Sequence, residues 1–367
     1  MVEFLTRAWE ALTRRIDNFL FGCALALVGV GLVTLFSATD QSVARVTTQI
    51  FSFGFALVLM WVVANIPPQT LARAAVPLYV LGVLLLVGVA FFGVVVNGSR
   101  RWLNIGVARI QPSELMKIAL PLMLAWYFQK FEGRINWKDF AVAAVLIVVP
   151  VYLIKRQPDL GTALLIAASG CYVLYLAGLS WKIMVGLVVL AGAAGPYVWA
   201  HLHDYQRERI LTFIDPARDP LGTGYHSTQA SIAIGSGGVI GKGWLNGTQT
   251  HLDFLPERHT DFIFAVFGEE FGLIGNALLL VLYLLLIGRA MMITANASTL
   301  FARLMAGAVT LMFFTYAFVN MGMVSGLLPV VGVPLPLVSY GGTALVSLFI
   351  GLGILMSVQA HRKLVTT

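Results

Sequence analysis

Charged residues are scarce in this sequence. Only 11% of its 367 residues are Asp, Glu, Lys or Arg, and 59% are hydrophobic, whereas a soluble domain is about one-quarter charged. Apolar runs of roughly 20 residues recur along the chain, which is the length that a helix needs to cross a bilayer. These runs do not alternate apolar and polar residues as the strands of a membrane barrel do. The sequence therefore predicts a polytopic helical membrane protein.

Cysteine and the common catalytic motifs are also nearly absent. The two cysteines, Cys23 and Cys171, both fall inside apolar runs, which argues against a disulfide framework. The sequence has no GxSxG, P-loop, CxxC or HExxH motif, so it gives no support for a serine hydrolase, a P-loop NTPase, a thiol oxidoreductase or a zinc peptidase. A cleavable signal peptide is not expected. Residues 1–17 instead predict a short cytoplasmic interfacial helix that leads into a retained first span.

The hydrophobic runs predict an all-α fold that forms a single domain over residues 1–367. Ten membrane spans are expected, and one large outer (periplasmic) loop, at about 202–261, separates the seventh span from the eighth. Because the number of spans is even, both termini are expected on the same side of the membrane. The spans are expected at about 18–38, 47–66, 74–95, 113–129, 139–155, 161–178, 180–201, 262–289, 301–327 and 342–361.

The distribution of Lys and Arg predicts which side that is. Positive residues favour the cytoplasmic ends of spans when short loops are compared. The inner segments hold more of them, so both termini are expected in the cytoplasm, and the net charge of +7 gives no reason to expect a nucleic-acid partner. The inner residues are Arg7, Arg14, Arg15, Arg73, Lys130, Arg134, Lys138, Lys182, Arg289, Arg303, Arg362 and Lys363. The residues in short outer loops are Arg45, Arg100, Arg101, Arg109, Lys155 and Arg156.

A basic cluster on the outer side opposes this rule. Arg100, Arg101 and Arg109 precede a helix that carries Glu114 and Lys117 three residues apart, so the latter two share one face and can pair. One explanation is a structural ion pair, with the arginines tolerated by a dominant first span. The other is an anion site in which Lys117 holds a phosphate and Glu114 tunes it, because ionisable groups inside spans are expensive to bury.

Two further acids allow a structural and a functional interpretation. Asp159 stands before Leu-Gly-Thr at the outer start of a span, where it can cap a helix or belong to a site. Asp261 ends the stretch "LPERHTD" and is likewise a candidate helix cap, with Thr260 as its competitor.

The acidic and His residues between 251 and 261 all fall on odd positions. This pattern allows a metal site. A polar loop interrupted by a proline can give the same pattern by chance.

The segment 326–345 is rich in proline and glycine inside an apolar region. Pro329, Pro334 and Pro336 exclude a continuous helix. Irregular backbone at membrane depth survives only when it is buried in protein or lines a cavity. Ser339 is therefore expected either at a structural kink or in the wall of a groove.

An ordered set of motifs resembles the SEDS family (shape, elongation, division, sporulation) over essentially the whole chain. The motifs are "NGSRRWLNIGVARIQPSELMKIA", "QPDLGTALL", "DPLGTGYH", "IAIGSGGVIGKGW", "FLPERHTDFIFAVFGEEFGLIG" and "GMVSGLLPVVGVPLPLVSYGG". Within the family, the compact N-terminus, the short C-terminal tail and the last motif favour the branch that acts in rod elongation over the division branch.

The resemblance implies a peptidoglycan glycosyltransferase of the bacterial inner membrane that polymerises lipid II and releases undecaprenyl pyrophosphate at the periplasmic face. It implies a class B penicillin-binding protein, a transpeptidase, as partner, together with other membrane proteins of the elongation machinery. The essential acid of the family matches Asp261, and its intramembrane acid and lysine match Glu114 and Lys117.

The implied chemistry suits these residue types. An α-linked donor and a β-1,4 product require one inversion and one base, and a pyrophosphate leaving group needs no acid, unlike in glycosidases. Asp261 is the expected base. The substrate-binding residues are expected to be Arg101, Arg109, Glu114, Lys117, Asp159, Lys242, His259, Thr260 and Ser339.

Charge on the leaving oxygens is expected to be stabilised by basic residues or by a divalent cation, Mg²⁺ or Mn²⁺. No protein metal ligands are assigned. Two other functions remain open from the residues alone: a lipid II flippase, and a scaffold that only recruits the transpeptidase.

Overall fold

Helices make up most of the chain in the computed structural model, which describes residues 15–96, 99–104, 106, 109–193, 195–201, 207–208, 211–212, 215, 223–252, 255 and 257–362. The helices are α1 (Asn18–Ala38), α2 (Val43–Asn65), α3 (Pro68–Phe92), α4 (Pro112–Lys130), α5 (Trp137–Lys155), α6 (Leu160–Leu176), α7 (Trp181–Ala193), α8 (Gly195–Ala200), α9 (Thr223–Gly237), α10 (Thr248–His251), α11 (Ile263–Ala295), α12 (Leu300–Val324) and α13 (Gly342–Ala360).

Seven of the helices in the described part of the chain are long and apolar enough to cross a membrane, namely α1, α2, α3, α5, α11, α12 and α13. The predicted fourth span coincides with α4, which carries Glu114 and Lys117. The predicted sixth span coincides with α6, which is apolar but shorter. The predicted seventh span is divided between α7 and α8.

The helices α12 and α13 form the centre of the bundle. Within their most apolar stretches, 67% of α12 and 61% of α13 is buried, against 22% of α2. α13 packs against α2, and α12 packs against α4, α6 and α11. The outer helices present large apolar side chains such as Phe55, Leu84 and Val145 to the surroundings, as helices do when one side faces lipid.

A small antiparallel sheet departs from the predicted all-α fold. It has the order β1–β2–β3, with β1 at Val94–Val96, β2 at Ser99–Asn104 and β3 at Arg109–Ile110. Val94 pairs with Trp102, and Leu103 pairs with Ile110. Three valines followed by Asn-Gly are the sequence signal of a β-hairpin, and the all-α prediction overlooked it.

The helix α11 is interrupted near its start. Gly272 has φ 64° and ψ −162°, a backbone region that is essentially restricted to glycine. The chain 238–243 fills the break: Lys242 N and Gly243 N donate to the carbonyls of Glu269 and Glu270, each at 3.0 Å, and Leu273 N donates to the carbonyl of Gly238 at 3.0 Å. The interrupted helix therefore finds its missing hydrogen-bond partners in the preceding segment.

The chain between α12 and α13 is non-helical from residue 325 to residue 341, as its prolines predict. We call residues 325–341 the proline loop. Val333, Leu335, Leu337 and Val338 are all at most 2% exposed. The loop is thus part of the protein core and supports the residues that lie beside it.

The predicted outer loop at 202–261 contains the helices α9 and α10. α9 packs against α11, so this part of the loop lies on the bundle. The predicted interfacial helix at 1–17 lies, apart from residues 15–17, outside the described residues. Within residues 15–17, Asp17 caps α1 and its carboxylate pairs with Arg289 at 2.5 Å.

We expect Gly272→Ala to destabilise the protein, because a methyl group there would collide with the backbone nitrogen of Gly241 and the φ value suits only glycine. The cost should be about 1–3 kcal/mol or more. Thermal unfolding in detergent measures it. Gly288→Ala on the same helix, where nothing lies within 4 Å of the added carbon, is the control. Equal melting temperatures for the two variants would contradict this account of the break.

Candidate active site

Asp261 lies in a tight turn, residues 257–262, directly before α11. Thr260 N and Phe262 N donate to the carbonyl of Glu257 at 3.1 and 3.3 Å. Phe262 occupies the N-cap position of α11, and no side-chain hydrogen bond caps this end of the helix. The structure therefore gives no support to helix capping as the role of Asp261 or of Thr260.

The proline loop fastens this turn through its backbone. Ser339 Oγ donates to the carbonyl of Thr260 at 2.7 Å, and Tyr340 N donates to the carbonyl of His259 at 2.9 Å. On α12, Asn320 Nδ2 donates to the carbonyl of Asp261 at 2.8 Å. Three consecutive carbonyls of the turn are thus held by three residues from the region 320–340, which fixes the backbone that carries the Asp261 side chain.

The surroundings of Asp261 combine close packing with positive charge. A carbon atom added at Gly332 would lie 3.3 Å from Asp261 Oδ2, so the proline loop passes directly beside the carboxylate. Burial lowers the pKa of His259, and the nearby charges of Arg45 and Arg258 lower it further, against the opposite effect of Glu257. The His259 imidazole is therefore held in its neutral form beside the candidate base.

A second group joins Arg101 and Asp159. Asp159 Oδ1 accepts from Thr162 N at 3.2 Å and caps α6, so the capping interpretation is confirmed. Its other oxygen lies 3.7 Å from Arg101 Nη1 and 3.4 Å from Gln111 Nε2. Arg101 also donates to the carbonyls of Gln157 and Pro158. Arg109, in contrast, is exposed on β3, where its backbone pairs with Asn104.

Glu114 and Lys117 form the predicted pair. Lys117 Nζ lies 2.6 Å from Glu114 Oε1, and Ser347 Oγ donates to the other oxygen of Glu114 at 2.8 Å. Lys117 is only 4% exposed and lies 5.1 Å from the centre of the Tyr316 ring. Both charges are thus compensated inside the bundle, where an unpaired charge is costly.

A long apolar groove opens beside Glu114. It has a volume of about 940 Å³ and lies between α2, α3, α4 and α13. Its walls are mostly aliphatic and aromatic, and Gln111, Glu114 and Ser347 supply polar groups. Gly342 and Thr343 also line it. Only Gly341 separates them from Tyr340 in the chain, so one short segment both lines the groove and holds the Asp261 turn.

Lys242 lies at the break in α11 and not in the Asp261 turn. Its ammonium group is 2.7 Å from Glu269 Oε1, and Glu269 is fully buried. Glu269 also accepts from Gln249 N at 2.9 Å and from Thr250 Oγ1 at 3.0 Å. Glu269 is six residues after Ile263, the first residue of α11, or about 9 Å along the helix axis from the end that adjoins the Asp261 turn. This ion pair makes Lys242 a poorer candidate for binding phosphate than the sequence indicated.

The sequence analysis missed several residues that the structure brings to the site. Arg45, counted there only as an outer-loop charge, lies close enough to His259 to affect its pKa. Asn320 is a fully buried amide within an apolar helix, and such a lone polar residue is a signal that could have been used. The positions of Gly332 and Tyr316 carried no comparable signal.

The described residues contain no group of three or more His, Cys, Asp or Glu side chains suited to a metal ion. Asp253, part of the alternating pattern of acids, lies outside them. Mg²⁺ is commonly held by one or two carboxylates together with substrate phosphates. Asp261 and the pyrophosphate of a substrate would supply one ligand group of each kind. A divalent cation therefore stays a prediction.

Comparison with known proteins decides the family. The chain matches the FtsW/RodA/SpoVE family model, described as cell cycle protein, over residues 17–364. It is 51% identical over 343 residues to the peptidoglycan glycosyltransferase MrdB of Escherichia coli K12, which covers 93% of each chain. The chain belongs to the SEDS family. The resemblance in the sequence motifs is thus confirmed.

Solved structures agree with this SEDS assignment. A chain from a peptidoglycan synthase complex, described as coordinating polymerization and crosslinking, is similar with a TM-score of 0.83 and 34% identity, covering 95% of this chain and 98% of that one. The rod shape determining protein RodA of Thermus thermophilus is similar with a TM-score of 0.71 and 32% identity, covering 94% of this chain and 97% of that one.

We expect Lys242→Ala to reduce stability, because it leaves the buried Glu269 carboxylate without its cation. Breaking a buried pair costs up to about 3–5 kcal/mol, and the partial exposure of Lys242 places the loss at the lower end. Thermal unfolding of Lys242→Ala, Glu269→Gln and the double variant checks this. The double variant should recover part of the stability that Lys242→Ala loses. If Lys242→Ala unfolds like the wild type, the pair is not structural.

Proposed function

We propose that this chain is a peptidoglycan glycosyltransferase of rod elongation that polymerises lipid II into β-1,4-linked glycan and releases undecaprenyl pyrophosphate. One observation carries the proposal. The Asp261 turn is held by the same chain segment, residues 339–343, that lines the apolar groove. A carboxylate beside a lipid-sized groove is the arrangement that a polymerase needs when its substrates carry long lipid chains.

Asp261 acts as the general base. The 4-hydroxyl of the acceptor sugar loses its proton to the Asp261 carboxylate while it attacks the anomeric carbon of the donor. The configuration inverts once, so no covalent intermediate forms, and the pyrophosphate leaves without protonation by an acid. The three hydrogen bonds to the backbone of residues 259–261 hold the base in place for this single displacement.

Positive side chains on the Asp261 side of the bundle stabilise the leaving pyrophosphate. Arg45 lies one turn before Thr48 and two turns before Ser52 on α2, and both of those residues line the groove. It also lies near His259. Arg45 is therefore near both the groove and the turn that carries the base, and a guanidinium group there can bind the pyrophosphate of a groove-bound lipid. Arg101 and Arg109 remain further candidates.

Ten spans complete the proposed architecture: the seven long apolar helices together with α4, α6 and the region of α7 and α8. Both termini lie in the cytoplasm of a bacterium, and Asp261 lies at the periplasmic face of the inner membrane. The Lys and Arg distribution supports this orientation. A class B penicillin-binding protein is the proposed partner, supported by the similar chain from a complex that coordinates polymerization and crosslinking.

We expect Asp261→Asn to lower lipid II polymerisation by about 100-fold or more, because a general base contributes that much. The measurement is glycan synthesis by the purified chain with its class B partner, with and without a chelator. Thr310→Ala, a fully buried change on α12, is the control for general damage. Loss of wild-type activity on chelation would add a divalent cation.

Full activity of a folded Asp261→Asn variant would contradict the assigned base. If the wild type makes no polymer but moves lipid II across vesicles, the protein is a flippase. If a folded chain does neither and still binds the partner, it is a scaffold.

We expect Arg45→Ala to raise the KM for lipid II about tenfold, which corresponds to losing about 1.4 kcal/mol of binding, with a smaller change in kcat. Steady-state polymerisation kinetics test this. Arg303→Ala, which removes the same charge from an exposed position at the start of α12, is the matched control. Equal KM values for the two variants would remove Arg45 from the site.

A further inference from the structure

We propose that Asn320 is a positioning residue, which holds the Asp261 carboxylate in register with the proline loop and with the Arg101–Asp159 group. The inference rests on the proposed function of Asp261. It assigns a catalytic contribution to a side chain on the central helix α12 that does not reach the substrate.

The amide of Asn320 joins the two segments that define the site. Its Nδ2 donates to the carbonyl of Asp261 at 2.8 Å and to the carbonyl of Val333 at 2.7 Å. Both N–H groups of one amide are thus used, and the residue is fully buried. The amide thus joins the turn and the loop to α12, the most buried of the seven long apolar helices in the described part of the chain.

The residues around Val333 explain why this link matters for the base. Gly332 precedes it, has φ +71°, and comes so close to Asp261 that an added carbon would lie 3.3 Å from Oδ2. Val331, one residue earlier, contacts the start of α6: a carbon added at Gly161 would lie 2.6 Å from the Val331 carbonyl oxygen. Gly161 is two residues after Asp159. Three consecutive loop residues therefore contact the Arg101–Asp159 side, the base and Asn320.

Asn320 sets the spacing within this arrangement. Without its amide, the carbonyls of Asp261 and Val333 would lose their shared donor in a buried place, and each would have to move to find another. A displacement of about 1 Å at a reacting group can reduce a rate by about 100-fold. The expected result is a base that is present but placed wrongly with respect to the acceptor hydroxyl.

The experiment compares Asn320→Ala with Thr310→Ala, using the full chain in complex with its class B partner. Both variants remove a fully buried polar group from α12, but Thr310 bonds only to Ala306 and Thr294. We expect Asn320→Ala to lower kcat for lipid II polymerisation by about 10- to 100-fold, with KM close to the wild-type value. Thr310→Ala should keep kcat. Thermal unfolding and partner binding should be similar for the two variants.

Two additional variants keep the test decisive if Asn320→Ala folds poorly. Asn320→Ser retains a single donor and should fall between the wild type and Asn320→Ala. Gly332→Ala leaves Asn320 intact but crowds Oδ2 of Asp261. This variant should also lower kcat, with a smaller change in KM. A rise in KM at unchanged kcat, or a loss no larger than that of Thr310→Ala, would overturn the proposal. Full activity of Asp261→Asn in the same assay would instead show that the base assignment has failed.

Discussion

The non-helical backbone of this protein must satisfy its hydrogen bonds inside the bundle, because the hydrocarbon around it offers no partners. The break in α11 is filled by residues 238–243, whose backbone groups pair with those of residues 269–274. The Asp261 turn is satisfied by Ser339, Tyr340 and Asn320. Each irregular segment thus depends on another, and together they build a rigid end of the bundle on which a catalytic group can be held.

Buried charge follows the same rule. Glu269 is compensated by Lys242 and by donors from Gln249 and Thr250. Glu114 is compensated by Lys117 and Ser347. Such pairs add little net stability, because the desolvation of a buried pair offsets much of its attraction. Asp261 differs from both acids, since it lies half-buried at the surface of the bundle and can meet a substrate.

The proposed site is assembled from segments that are distant in sequence. Arg45 comes from α2, Arg101 from β2, Asp159 from the start of α6, and Asp261 from the turn before α11. The groove adds walls from four helices. This distribution explains how a chain without a compact catalytic motif can nevertheless carry an active site: the central helices bring single residues from many loops to one end.

The sequence by itself determined the membrane class, the positions of most helices and the pairing of Glu114 with Lys117, while the role of Asp261 as the base stays a prediction. Hydrophobic length, helical spacing and the ordered family motifs are local properties, and they can be read without contacts. Only the tertiary structure decided that Lys242 belongs to Glu269, that Asp159 both caps α6 and faces Arg101, and that Asn320 lies behind Asp261. These facts depend on which segments meet in space, and contacts between residues 27 to 59 positions apart leave no periodic trace in the chain.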